Sequence, residues 1–166
     1  MGQSWIDRTV HNPEANFLLF SFLFNFVWEM WQMPFYEGLK TLDYMLVVRT
    51  CTQASLGDGV ISVLAYWSAV LIARSRNWIH EISITPMIAY LTTGLVITMF
   101  MEWLATDILD RWQYAPSMPV LPLLGTGLLP VLQWSILPLL LLFVVHRQTL
   151  KKRLCESARH FSEGPV

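Results

Sequence analysis

The chain is short of charge and of cysteine. Only 14% of its 166 residues are charged, against 54% hydrophobic, and the mean hydropathy is +0.45; a soluble domain carries roughly 25% charged residues. With the apolar residues gathered into long runs, this composition reads as an integral membrane protein and excludes a disordered chain. Cys51 and Cys155, the only cysteines, provide neither the disulfide framework of a small secreted domain nor a CxxC metal or redox motif. Cationic excess is missing too: 11 Lys and Arg face 12 Asp and Glu, which argues against a nucleic-acid partner. His11, His80, His146 and His160 form no HxxxH or HxxHH pair, so a histidine-ligated di-iron centre or a haem held between two spans is not expected. A GxSxG elbow, an HExxH helix and a Walker loop are absent. No metal site is expected, and the cofactor is left unknown.

What is present is a set of spans. A helix crosses about 30 Å of hydrocarbon with about 20 apolar residues. Four segments qualify, at about 15–32, 57–73, 84–105 and 119–145. The expected fold is therefore all-α, a single transmembrane domain built as an integral membrane bundle of four transmembrane helices. Trp28, Glu29 and Trp31 stand where a signal peptide would need small residues, so the first span is expected to be retained. Positive charge sets the orientation. Arg8, Arg74, Arg76, Arg147, Lys151, Lys152, Arg153 and Arg159 fall on one side and only Lys40, Arg49 and Arg111 on the other. Both termini, including the basic tail 146–166, are thus expected in the cytoplasm, with a bacterial inner (cell) membrane as the location. After the first span, Phe35, Leu39, Leu42 and Leu46 share one helical face, which suggests a short interfacial amphipathic helix; a loop packed over the bundle is the alternative.

Carboxylates inside apolar spans cost about 2.5–3.5 kcal/mol each on insertion scales, so they are kept for pairing, for a wet cavity or for chemistry. Glu29, Asp58 and Glu102 all fall in the outer part of their spans. Helical spacing places Ser21, Asn25, Glu29 and Gln32 on one face of the first span. Asp58, Ser62 and Tyr66 share a face of the second, and Gly94, Thr98 and Glu102 a face of the third. Lipid satisfies none of these groups, so the stripes are expected to face one another. The fourth span adds Gln133, and its Pro122, Pro130 and Pro138 are expected to kink or unwind it. Beyond the third span, Asp107, Arg111, Trp112 and Tyr114 follow Glu102 closely. Trp103, Trp112, Tyr114, Trp28, Trp31 and Tyr36 make an aromatic belt, for which anchoring at the interface is the simpler reading.

The functional reading is a pocket in the outer leaflet. Glu29, Glu102 and Asp58 are its candidate catalytic residues. Asn25, Gln32, Asp107, Arg111, Trp112, Tyr114 and Gln133 are the candidate ligand-binding residues, with Arg111 as a cap. Adjacent buried carboxyls cannot all ionise comfortably. A protonated carboxyl beside electron-rich rings suits two tasks, protonating an alkene with stabilisation of the cation, or binding a lipophilic amine. The expected function is binding of a lipophilic small molecule, isoprenoid or quinone-like, with acid-catalysed chemistry on it as the extension. Membrane lipids are expected partners. The alternative is a non-catalytic accessory subunit docked on a membrane-protein partner through the row Phe17, Phe20, Phe22, Phe24 and Phe26.

Asp107, Trp112 and Tyr114, followed by a glycine and by Pro130-x-x-Gln133, resemble the D…WxY…G…PxE pattern of the small-subunit lycopene cyclases and related carotenoid-modifying membrane proteins. Gln133 stands where that pattern has an acid, which would remove a presumed proton donor. The resemblance covers barely a fifth of the chain, and no family membership is drawn from it.

Overall fold

The computed structural model describes residues 12–38, 42–122 and 125–162, the segment 151–162 by its backbone alone. It is all-helical. Among the described residues four α-helices follow in order: α1 (Pro13–Gln32), α2 (Tyr44–Ala73), α3 (Ile84–Trp103) and α4 (Leu128–Ser162). Three stretches, Tyr44–Ala73, Ile84–Ile108 and Leu128–Leu150, are long and apolar enough to cross a membrane. Among the described residues α1 does not join them, because Asn16, Ser21, Asn25, Glu29 and Gln32 dilute its hydropathy. Those side chains point inward: Asn16, Ser21, Asn25 and Gln32 are buried, while Leu19, Leu23 and Val27 of the same helix are exposed.

Each helix begins where local chemistry allows. Asn12 caps α1 by accepting from the Glu14 N–H at 3.0 Å, with Pro13 in the first turn. Asp43 does the same for α2 through the Met45 N–H. This cap changes the expected element boundaries. The second helix starts at Tyr44, thirteen residues before the expected 57, and runs unbroken to Ala73. The separate interfacial helix is replaced by one 3-10 turn at Met33–Phe35 and the first turns of α2, which take up Leu46; Leu39 lies outside the described residues. Neither Gly57 nor Gly59 breaks the helix. Gly59 lets Leu18 of α1 approach to where its own Cβ would lie 2.9 Å away, so it serves helix packing.

Expected span 119–145 also shifts. Val120 and Gly127 pair in an isolated antiparallel bridge, and α4 starts at Leu128. Pro122 thus precedes the helix and Pro130 sits in its first turn, where no backbone donor is needed. Only Pro138 lies inside. At the end of α3 the chain widens into a π-turn, Leu104–Ile108, closed by the Leu109 N–H on the Leu104 carbonyl at 2.9 Å.

α1 packs against α2 and α4, and α3 packs against the same two. One end is an aromatic core in which Phe17, wholly buried, meets Tyr66 and Tyr90 at ring distances of 5.0 and 5.6 Å. Tyr66 donates to the Arg76 carbonyl and His146 Nδ1 to the Ile79 carbonyl, fixing the α2–α3 connection at that end. At the other end the two remaining connections are stitched together: the Glu37 N–H donates to Gln113 O at 2.8 Å and the Ala115 N–H to Phe35 O at 2.9 Å, around a Tyr36–Tyr114 bridge. Between these ends the interior is polar.

Candidate functional site

Three helices deliver the polar cluster. α1 turns Asn25, Glu29 and Gln32 inward, α2 brings Asp58 and Ser62, and α4 brings Gln133 and Trp134. Gln133 is the centre. Its Nε2 donates to Asn25 Oδ1 at 2.7 Å and lies 3.2 Å from both Glu29 Oε1 and Asp58 Oδ2. Two oxygens each 3.2 Å from one nitrogen are at most about 6.4 Å apart. Glu29 and Asp58 therefore meet within the range over which charged groups act strongly on each other.

The remaining bonds extend outward and inward. Gln32 Nε2 donates to Glu29 Oε1 at 2.9 Å, and Trp28 Nε1 donates to Gln32 Oε1 at 2.9 Å. Trp134 Nε1 reaches Asp58 Oδ1 at 3.2 Å. Asn25 Nδ2 donates to the carbonyl and hydroxyl of Ser21, and the Ser21 and Ser62 hydroxyls pair at 2.7 Å. The stripes expected on the first two spans are thus joined directly. Trp134 had no such signal, since on an otherwise Leu-rich helix it reads as core.

Its position explains Gly94. A Cβ at Gly94 would overlap the six-membered ring of Trp134, so the glycine is the slot that lets the indole lie between α3 and α4 and still reach Asp58.

Glu102 forms a second subsite. Tyr114 donates to Glu102 Oε2 at 2.6 Å, and the two subsites are within electrostatic reach of each other. Tyr36, buried, stacks beside Tyr114 at 5.7 Å and meets Trp112 edge-on at 6.3 Å. The Trp112 Nε1 atom is buried on the Glu102 side of this subsite. Burial, and then the charge of Glu102, hold the Tyr114 phenol above its usual range. It therefore stays a donor at neutral pH. An unfolded tyrosine ionises near pH 10, so stability is expected to fall as pH rises past about 10 and the unfolded chain gives up the proton first. Thermal unfolding measured across that range checks this, and Tyr114→Phe should flatten the decline.

Two expected site residues stand apart. Asp107 is exposed and accepts from Thr106 at 2.7 Å. Arg111 is exposed as well and forms no ion pair among the described residues. The π-turn and the positive φ of Asp110, 45°, turn the chain off the α-helical path before Arg111. Glu29, Asp58 and Glu102 consequently have no Lys or Arg partner among the described residues. No group of three or more His, Cys, Asp or Glu placed to hold a metal ion occurs among them either.

Outside the cluster, between α1 and α4, an apolar groove of about 390 Å³ is walled by Phe24, Val27, Trp28, Trp31, Leu137 and Leu140. Trp28 belongs to both places, its ring in the groove and its N–H on Gln32.

The chain was compared with protein-family models, with curated proteins and with solved structures, and it matches none.

Proposed function

We propose that the protein is a multi-pass membrane protein, a four-helix transmembrane bundle of the bacterial inner membrane with both termini cytoplasmic, that binds a lipophilic small molecule against a carboxyl cluster. The observation that carries this reading is Gln133. One buried amide nitrogen holds Glu29 and Asp58 side by side with no cationic side chain paired to them among the described residues, beside an apolar groove of ligand size. Membrane insertion of all four helices is supported by the inverted distribution of side chains. Ser21, Asn25, Ser55, Asp58, Ser62 and Gln133 are buried, while Val27 and Leu71 are 70% and 75% exposed. A polar interior under an apolar surface fits lipid and not water as the surroundings.

The apolar groove suits an isoprenoid or quinone-like chain, and the carboxyls with nearby indoles suit acid chemistry on it. Glu29 and Asp58 are the acids of the first subsite and Glu102 that of the second, with Tyr114 orienting it. Asn25, Gln32 and Gln133 position the first pair. For the accessory-subunit reading, Phe17 lies wholly inside and Phe20 and Phe24 pack against the core, so its docking face would be narrowed to the stacked pair Phe22 and Phe26.

The experiment is extraction and mass spectrometry of small molecules retained by protein purified in native lipid. Wild type is expected to carry a molecule near stoichiometry, and Glu29→Gln and Asp58→Asn roughly a tenth or less of it, the loss of one charge-assisted contact. Unchanged content in both variants would sink the reading, and a stoichiometric protein partner with no small molecule would replace it by the subunit.

A further inference from the structure

The groove shares two side chains with a small polar cavity that lies one helical turn from Glu29 and Asp58. Phe24 of α1 and Leu137 of α4 line the groove on one face. On their other face they line a small cavity of about 10 Å³ that also touches Ser21, Asn25 and Ser62. That volume is about one water. A group larger than water passes from the groove into this cavity only if Phe24 and Leu137 turn aside. Both are held only by apolar contact, and Leu137 precedes Pro138, which leaves the Trp134 carbonyl without its usual helical donor and loosens that turn. Trp28, by contrast, is pinned by its bond to Gln32 and forms a fixed wall.

Beyond the two side chains, the donors that reach the two carboxyls among the described residues are all neutral N–H groups: Gln133 shares its amide among Asn25, Glu29 and Asp58, Gln32 adds one to Glu29 and Trp134 one to Asp58. With no cationic side chain pairing either acid among the described residues, the complement of the cluster is a positively charged donor. We infer that the ligand is a single-chain lipophilic amine that enters sideways from the bilayer between α1 and α4. Its tail lies in the groove and its ammonium head passes between Phe24 and Leu137 to Glu29 and Asp58, with the indole faces of Trp28 and Trp31 flanking the route. This rests on the ligand-binding reading above and adds the head group and the way in.

The test uses the full chain in native-lipid nanodiscs and three photoreactive probes of equal chain length, an octadecyl amine, alcohol and carboxylic acid carrying the same diazirine. The amine is expected to label α1 and α4 at the groove, around Val27, Trp31 and Leu140, roughly tenfold more than the alcohol. Glu29→Gln and Asp58→Asn should bring the amine down to the level of the alcohol, whose own unchanged labelling shows that the groove is intact. Leu137→Ala should speed amine labelling. Equal labelling by amine and alcohol in wild type, or amine labelling indifferent to both carboxyl variants, overturns the head group. A rate unchanged by Leu137→Ala overturns the route. If the alcohol alone labels the groove, the amine inference falls while the lipophilic site stands; if no probe labels it, both fall.

Discussion

Replacing Gln133 with leucine is expected to cost the folded protein about 3–5 kcal/mol, the range found when one partner is removed from a buried charged network. The substitution keeps the volume and removes the one donor shared by Asn25, Glu29 and Asp58. Asp58 Oδ2 and Asn25 Oδ1 would then face only apolar neighbours or each other, and a buried polar group without a partner costs more than the bond itself contributed. Gln32→Leu makes the useful comparison. It also removes a donor from Glu29, but Gln133 still serves that carboxyl, so about 1–2 kcal/mol is expected. Unfolding in mixed micelles, followed by circular dichroism, should rank the two in that order. Equal, small losses would show that the Gln133 contacts hold nothing together.

The second large effect falls on Gly94. Alanine normally gains about 1 kcal/mol over glycine inside a helix, yet here the added methyl would occupy ring atoms of Trp134. The indole cannot simply retreat, because its N–H is bonded to Asp58. Overpacking of this kind costs about 1–3 kcal/mol, and a valine would cost more. Gly57 is the matched control: nothing lies within 4 Å of a Cβ placed there, and Gly57→Ala is expected to stabilise by up to about 1 kcal/mol. In a double-mutant cycle Gly94→Ala combined with Trp134→Leu should cost less than the two single changes added together. Strict additivity would mean the ring and the glycine are not in contact.

Helical spacing made the polar residues of α1, α2 and α3 legible because a stripe needs only a regular rise and turn, and all three helices are regular through those residues. Asn25, Glu29, Asp58 and Ser62 met as that spacing required. Gln133 could be noticed as the lone amide of an apolar helix, but nothing in one residue tells how many partners it serves. Trp134 stayed invisible for a different reason: its neighbour across the interface is a glycine forty positions earlier, and the fit between them is a matter of shape, which periodicity does not encode. Where Arg111 would lie had no such signal, since one π-turn suffices to take the chain off an α-helical register. The early start of α2 was hidden by Arg49, Thr50 and Gln53, which made an ordinary helix look too polar to belong to a span.

The stitch between residues 33–38 and 112–115 has a consequence for the timing of local opening. The amides of Glu37 and Ala115 each depend on a carbonyl from the other connection, so neither strand can release its proton to solvent while the other stays in place. In hydrogen exchange the two should behave as one unit with a shared protection factor, and loosening either connection should speed exchange at both.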